Sequence, residues 1–252
     1  MISVCIATYN GQTYIKEQIV SILKQLSLED EIIISDDNSS DDTIKIIISL
    51  NDKRIKIFSN KKKLINHRSS THIYATSNFE NAINNAKGDY IFLSDQDDIW
   101  LEGKINSFIQ EMSENNKMMV FSNFSVIDLD KNVAESRYYK KNPIKKNAIS
   151  NLIRMPFFGC TLAFRKELLE YILPFPQHLI LHDNWIGFLA LHYGEVSFID
   201  KPFILYRRHI NNVSSYKGHS KNPIWYRISY RLQFIMQYFQ RIQNKKKGPI
   251  QM

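Results

Sequence analysis

The sequence predicts an α/β protein with a mainly parallel, doubly wound sheet, a mixed second half and a C-terminal amphipathic helix. Three observations lead there. In the first half, short β-branched apolar runs alternate with segments whose apolar residues recur at helical spacing, the order expected of βαβ units. Two of those runs end in acidic loops, residues 36–42 and 95–98, and ligands of open α/β sheets sit outside the carboxyl ends of strands. Finally, 252 residues with 44% hydrophobic content suffice to bury one sizeable core.

Residues 2–8, ISVCIAT, make the first strand, closed by the turn Tyr9-Asn10-Gly11. Ile15, Ile19, Ile22, Leu23 and Leu26 then recur at helical spacing over 14–26. Glu31 leads Ile32, Ile33 and Ile34 into a polar stretch from Ser35 to Thr43, and such a continuous β-branched run suits a strand buried on both faces. An apolar helix follows from Ile44 to Leu50, then a short strand over 54–58. The next helix covers 78–86, capped by Ser77 or Asn78 and ended at Lys87-Gly88-Asp89. Tyr90 to Leu93 is a fourth strand running into Ser94-Asp95-Gln96-Asp97-Asp98, and a helix extends from Leu101 through Met112. After a strand from Met118 to Ser122 the pattern loosens, and 128–150 has the polar, basic composition of a mobile segment or lid. The apolar PFFGCTLAF segment around Gly159, a helix over 182–193 and an alternating run over 196–206 supply the other wall of the cleft. From Trp225 to Phe239 aromatics and arginines alternate at helical spacing ahead of Lys245-Lys246-Lys247.

A formal charge of +8 and a pI near 9.3 predict attraction to anions, whether nucleic acid, anionic lipid or a diphosphate. Basic stretches at 61–63, 140–146 and 245–247 contrast with the acidic clusters, which repel a polyanion unless a cation intervenes. The N-terminus lacks the basic start and apolar length of a signal peptide, and no span approaches the roughly 20 apolar residues that cross a bilayer. Cys5 and Cys160 are the only cysteines, and Cys5 lies in an apolar run, so buried thiols in a reducing cytosol are expected.

Asp95, Asp97 and Asp98 crowd three carboxylates into four positions, a costly arrangement unless a cation or protons neutralise it. Carboxylate oxygens suit Mg2+ or Mn2+, whose coordination substrate phosphates would complete; the competing reading is a solvated acidic turn that caps a helix. Asp36 and Asp37 end the Ile-rich strand, where a carboxylate can accept from the N3–H of uracil or thymine, or else build an Asx-rich turn. Tyr9 is placed either to stack on the same base or to join the core. Asp183, at a helix start, reads as a general base for a sugar hydroxyl or as a helix N-terminal charge. His209 offers imidazole to a metal, and Arg207 and Arg208 offer guanidinium groups to a diphosphate; a structural histidine is the alternative.

The segments VCIATYNG, ISDDNSSDDT, SNFENAI, LSDQDDIW, FFGCTLAF, LHDNW and YRRHINNV, in this order over positions 2–213, resemble the family 2 inverting glycosyltransferases of the GT-A fold. The DQDD-x-W and YRxHxxN elements look most like the bacterial rhamnosyltransferase-type subgroup, which builds surface polysaccharides on lipid-linked acceptors. The resemblance implies that Ala7 and Tyr9 line the nucleotide pocket, that Asp37 takes the base, and that Asn78, Gln96 and Arg207 join the donor site. It implies that Asp95 serves the ribose or the outer sphere of the metal, Asp97 contacts Mn2+ or Mg2+ directly, and His209 is a metal or diphosphate ligand. Asp183 matches the acceptor-activating base, and the segment around Gly159 would face donor sugar and acceptor. One departure is that the family's acidic xED-like element reads His182-Asp183.

The expected organisation is a GT-A domain over 1–213, divided into a nucleotide-binding half (1–122) and an acceptor-side half (123–213), with a basic aromatic tail over 214–252. A separate acceptor domain is expected to be missing or minimal. The implied partners are a UDP- or dTDP-sugar donor and a glycan or lipid-linked saccharide acceptor, with no nucleic acid. The tail from Pro223 to Lys247 is placed to lie on a membrane surface, to pack on the domain or to meet a second subunit as a homodimer. A peripheral location at the cytoplasmic face of the plasma membrane follows from the first of these. Two other classes compete: a magnesium-dependent regulatory module, and a basic nucleic-acid-binding protein.

Overall fold

The βαβ order read from the sequence is built as expected at its start: β1 (Ile2–Thr8), α1 (Ile15–Leu23), β2 (Glu31–Asp36), α2 (Thr43–Ser49) and β3 (Ile55–Ser59). A computed structural model describes residues 1–60, 70–141, 151, 154–209, 212 and 223–246. All six residues of β2 are buried, because a central parallel strand is covered by helices on both faces. The chain continues through α3 (Ser70–Asn85), β4 (Tyr90–Ser94), β5 (Ile99–Trp100), α4 (Lys104–Glu114), β6 (Met119–Ile127), β7 (Val133–Glu135) and α5 (Tyr138–Lys141). A 3-10 turn at Gly159–Thr161 leads into β8 (Leu162–Arg165), α6 (Leu169–Ile172), α7 (His182–Tyr193), β9 (Val196–Arg207) and α8 (Ile224–Lys246).

Among the described residues the strands form one sheet in the order β3-β2-β1-β4-β8-β6-β9-β5, with β7 paired to β6. The pairs among β3, β2, β1 and β4 are parallel, whereas β8 runs antiparallel to both β4 and β6. The expected parallel first half and mixed second half are therefore present. From β1 the chain winds outward to β2 and β3, then returns to the other side as β4. The switch point lies between β1 and β4, and a cleft opens at their carboxyl ends.

Five elements differ from the sequence reading. Helix α3 starts at Ser70, eight residues before the expected Asn78, so Ser77 and Asn78 lie inside the helix and cap nothing. Its first turns carry few apolar residues, and only Ile73 and Thr76 face the core beside Phe79, too sparse a pattern to betray a helix. Strand β6 continues five residues past Ser122 because Asn123, fully buried, bridges to Asp200 through its amide and accepts from the Phe124 and Tyr139 N–H groups. The two-residue strand β5 is too short for a periodic signal. Part of the expected lid is ordered as β7 and α5, while residues 142–150 lie outside the described residues, as does the expected boundary at 213.

Helix α8 packs its inner face on α7. Phe234 meets Trp185 and Phe188 with ring centroids 6.1 and 5.9 Å apart. Arg241, one of the basic residues of the tail, turns inward, donating to the carbonyls of Tyr171 (2.8 Å) and Leu173 (3.1 Å) and lying over the Trp185 ring. No described helix is long and apolar enough to cross a membrane.

Candidate active site

Two turns, each pivoting on an asparagine with positive φ, shape the mouth of the cleft: Asn10 after β1 and Asn38 after β2. In the second turn the acidic residues divide their work. Asp36 accepts from Thr8 Oγ1 (2.8 Å) and from the Ser39 N–H (2.8 Å), so it builds the turn. Asp41 accepts from the Thr43 and Gln12 N–H groups at the start of α2, and Asp42 pairs with Lys45 on the surface. Asp37 is the carboxylate turned toward the end of β3. It is 4% exposed, its N–H donates to the Thr8 carbonyl, and it accepts from Asn60 at 3.3 Å. Ala7, near the end of β1, is partly buried, and the Tyr9 ring just beyond it is about half exposed at 51%.

The second acidic loop is tied to the first strand by Gln96. Its carboxamide accepts from the Tyr9 N–H (2.9 Å) and donates to the Tyr9 carbonyl (3.0 Å). A Cβ at Gly11 would collide with that carboxamide and displace it from Tyr9. Asn78, expected at the donor, donates instead to the Thr8 carbonyl at 3.0 Å from within α3 and is 2% exposed. Gln96 and Asn78 thus hold the end of β1 rather than facing the cleft through these contacts.

The β5–β9 ladder brings the end of β9 to the acidic loop, more than 100 residues away in sequence. The Arg207 N–H donates to Asp98 Oδ1 (3.1 Å), and the guanidinium donates to the Asp97 carbonyl (3.0 Å) and to Glu17 (2.7 Å) while lying over Tyr14. Arg207 is only 2% exposed, so it does not meet the expectation that it faces diphosphate oxygens: it has been recruited to lock β9 onto α1 and the acidic loop. One residue pair further, His209 Nε2 stands 2.7 Å from Asp97 Oδ2, with Asn212 Nδ2 at 3.4 Å from the same oxygen. His209 stacks on Tyr14 at 5.0 Å.

Three carboxyl groups are held above their ordinary range. Asp95 is pushed up to about 7 by burial first, then by Asp97 and Asp183; Asp98 is raised well above its usual value by burial, Asp97 and Asp95. Asp183, at the start of α7, is raised to about 6 by burial, even though the Asn184 N–H (2.8 Å) and side-chain amide (3.0 Å) donate to it. Asp95 and Asp183 therefore sense one another across the cleft, though β4 and α7 are distant in sequence. His182 stacks on Phe79 at 4.4 Å and is kept neutral, with its pKa lowered to about 3 by burial. The absence of a side chain at Gly159 leaves room for that ring, since a Cβ would sit 3.2 Å from its Nε2.

The sequence reading missed two residues of this constellation. Lys104 is fully buried, donates to the Cys160 carbonyl (2.8 Å) and lies 4.0 Å over the Trp100 ring beneath the acidic loop. Burial lowers its pKa to about 7, against the pull of Asp98 and Asp95. Its signal was helical phase: Lys104 falls on the inward side with Ile105, Phe108 and Met112. Asn184 straps the apolar Phe157 segment to α7, accepting from the Phe157 N–H and donating to its carbonyl, both at 3.2 Å. No local pattern announces that pairing.

Two donor groupings bear on a cation. Asp97 Oδ2 and His209 Nε2 together offer a carboxylate oxygen and an imidazole nitrogen, a set that fits Mn2+ or Mg2+ with phosphates completing the sphere. Asp95, Asp98 and Cys160 also bring ligand atoms within 4.8 Å of one another. There the third donor is a soft thiol, 1% exposed and raised well above its usual pKa by burial and by Asp98 and Asp95, which does not suit a hard cation. Cys5 and Cys160 are both free and buried.

The model of the family described as "Glycosyl transferase family 2" matches residues 3–173. The dTDP-rhamnosyl transferase RfbG of Shigella flexneri is 33% identical over 224 residues, covering 82% of this chain and 72% of that protein. An Escherichia coli UDP-Glc:alpha-D-GlcNAc-diphosphoundecaprenol beta-1,3-glucosyltransferase, WfgD, is 27% identical over 231 residues, covering 89% and 84%. Among solved structures, residues 1–349 of S. aureus TarS in complex with UDP-GlcNAc superpose with a TM-score of 0.65 at 17% identity, covering 95% of this chain and 72% of that one. Glucosyl-3-phosphoglycerate synthase from Mycobacterium tuberculosis, in complex with Mn2+, UDP and glucosyl-3-phosphoglycerate, superposes with a TM-score of 0.54 at 17% identity, covering 96% and 79%. At such identities the likeness speaks for the fold, and it is the GT-A fold.

Proposed function

The chain belongs to glycosyl transferase family 2 and is a glycosyltransferase; from that premise we propose that it transfers a hexose, rhamnose or another, from a UDP- or dTDP-sugar with inversion. The acceptor in this reading is a hydroxyl of a lipid-linked glycan in bacterial surface polysaccharide synthesis, at the cytoplasmic face of the membrane. One observation carries the proposal. Asp97 meets His209 at 2.7 Å in a loop whose Asp95 lies within electrostatic reach of Asp183, all at the carboxyl ends of β1 and β4. The regulatory-module and nucleic-acid readings have no comparable support, and the family assignment sets them aside.

In the proposed reaction Asp183 removes the acceptor hydroxyl proton, and the hydroxyl oxygen bonds to the anomeric carbon as the bond from that carbon to the diphosphate oxygen breaks. The electron pair leaves with the nucleoside diphosphate, and displacement from the opposite face inverts the carbon. Asp37 and the half-exposed Tyr9 ring would hold the base, and Asp95 the ribose. A Mn2+ or Mg2+ ion held by Asp97 and His209 would supply charge neutralisation for the diphosphate. Arg207 acts behind these groups, fixing β9 so that His209 meets Asp97. A panel of UDP- and dTDP-sugars, assayed with Mn2+ for thermal shift and slow donor hydrolysis, tests the reading. One or a few donors should respond, and no response to any nucleotide sugar would overturn it.

A further inference from the structure

Helix α8 carries an apolar stripe that no described residue covers. Trp225, Ile228, Leu232, Met236 and Phe239 are each more than half exposed. Their spacing of three and four residues places them along one line on the helix, about 21 Å long at 1.5 Å per residue. The opposite side, with Tyr226, Phe234 and Ile242, is buried against the body of the protein. We propose that this outward stripe docks the enzyme on an anionic lipid bilayer, with α8 lying in the plane of the interface.

Charge selects that occupant. All 25 acidic residues lie at or before Asp200, whereas 11 of the 33 basic residues follow it, so the protein's whole positive excess sits in the segment that contains α8. Stripe-to-stripe pairing of two copies would bring two acid-free basic helices together, while an anionic surface complements both the apolar line and the charge. Arg241 is committed to backbone carbonyls and Lys245 lies over the Tyr171 ring, so among the described side chains Arg227 and Arg231, both partly exposed, are the helix cations left to meet headgroups. Tryptophan at the start of the stripe suits the headgroup boundary. Because α8 packs on α7, whose first turn carries Asp183, docking would bring the acceptor half beside the bilayer.

The inference deepens the lipid-linked acceptor reading, yet the two fail separately, since vesicle binding needs no acceptor and donor hydrolysis needs no vesicle. Of the three tryptophans, Trp100 and Trp185 are buried and Trp225 alone is exposed, so tryptophan emission reports the stripe. The full chain is mixed with phosphatidylcholine vesicles with or without about one quarter phosphatidylglycerol, and sedimented at low and high salt. The expected result is binding to the anionic vesicles, weakened by salt, with a blue shift and quenching by brominated lipid. The triple variant Ile228→Ser, Leu232→Ser, Met236→Ser should lose at least about tenfold in binding while keeping its melting temperature and donor hydrolysis. Absence of wild-type binding, or undiminished binding by the triple variant, overturns the proposal. So does concentration-dependent dimerisation abolished by the triple variant without any vesicle binding, which would make a second copy the occupant.

Discussion

Replacing Asp183 by Asn should stabilise the protein while stopping transfer. Burial raises this carboxyl from 3.8 to about 6, a difference of about two pH units. At about 1.4 kcal/mol per unit, the folded state bears a penalty of up to about 3 kcal/mol when Asp183 is ionised. The sign follows from linkage. A carboxyl with a raised folded-state pKa favours folding below its unfolded pKa near 4, and that contribution is lost as pH rises through about 6. Asparagine remains neutral and keeps an oxygen for the Asn184 N–H and amide, so its advantage should be absent near pH 4, grow to pH 6 and level off above. For a chain of this size the gain at pH 8 corresponds to a rise in melting temperature of roughly 5 to 10 °C. Urea or thermal unfolding of both proteins from pH 4.5 to 8.5 measures it, alongside nucleoside diphosphate release with and without acceptor. Transfer should fall by roughly 100-fold to 10,000-fold with donor binding nearly unchanged, and wild-type transfer should rise with pH through about 6. A variant no more stable at pH 8 than wild type, or one that still transfers sugar, would refute the reasoning.

Asp97→Ala and His209→Ala should each weaken Mn2+-dependent donor binding by on the order of 100-fold without altering metal-free nucleotide binding; calorimetry with and without Mn2+ separates the two, and equal losses in both conditions would deny these residues a metal role. Gln96→Ala removes two hydrogen bonds that fix Tyr9, about 2 kcal/mol together, and should raise the donor KM by roughly 10 to 30-fold with a smaller change in kcat; an unchanged KM would show that Tyr9 keeps its place without the clamp.

Much of the first half was legible because its signals are local. The Ile32-Ile33-Ile34 run announces a strand buried on both faces, and the asparagines at 10 and 38 supply the left-handed turns that end β1 and β2. The acidic loops could be assigned to one end of the sheet because strand and loop alternate in a fixed order. Within those loops, however, the carboxylates look alike in sequence. Asp36 and Asp41 proved to be turn builders, while Asp37, as buried as Asp36, turns to Asn60, a division set by which donors each one reaches.

What the sequence determined, then, was the βαβ order of the first half, the placement of both acidic loops at one cleft and the residue types gathered there. Short-range periodicity and turn chemistry encode these without knowledge of partners. Partner choice was left to tertiary structure. Arg207 reads as a cation for phosphate beside His209, yet the β5–β9 ladder carries its guanidinium to Glu17, 190 residues away, and to the Asp97 carbonyl. Asn78 reads as a cap and sits mid-helix against Thr8; Lys104, which the sequence reading passed over, lies buried under the acidic loop. A buried polar group must satisfy its hydrogen bonds with whatever the fold brings within reach. Assembly of the sheet, and no spacing along the chain, decides what that is.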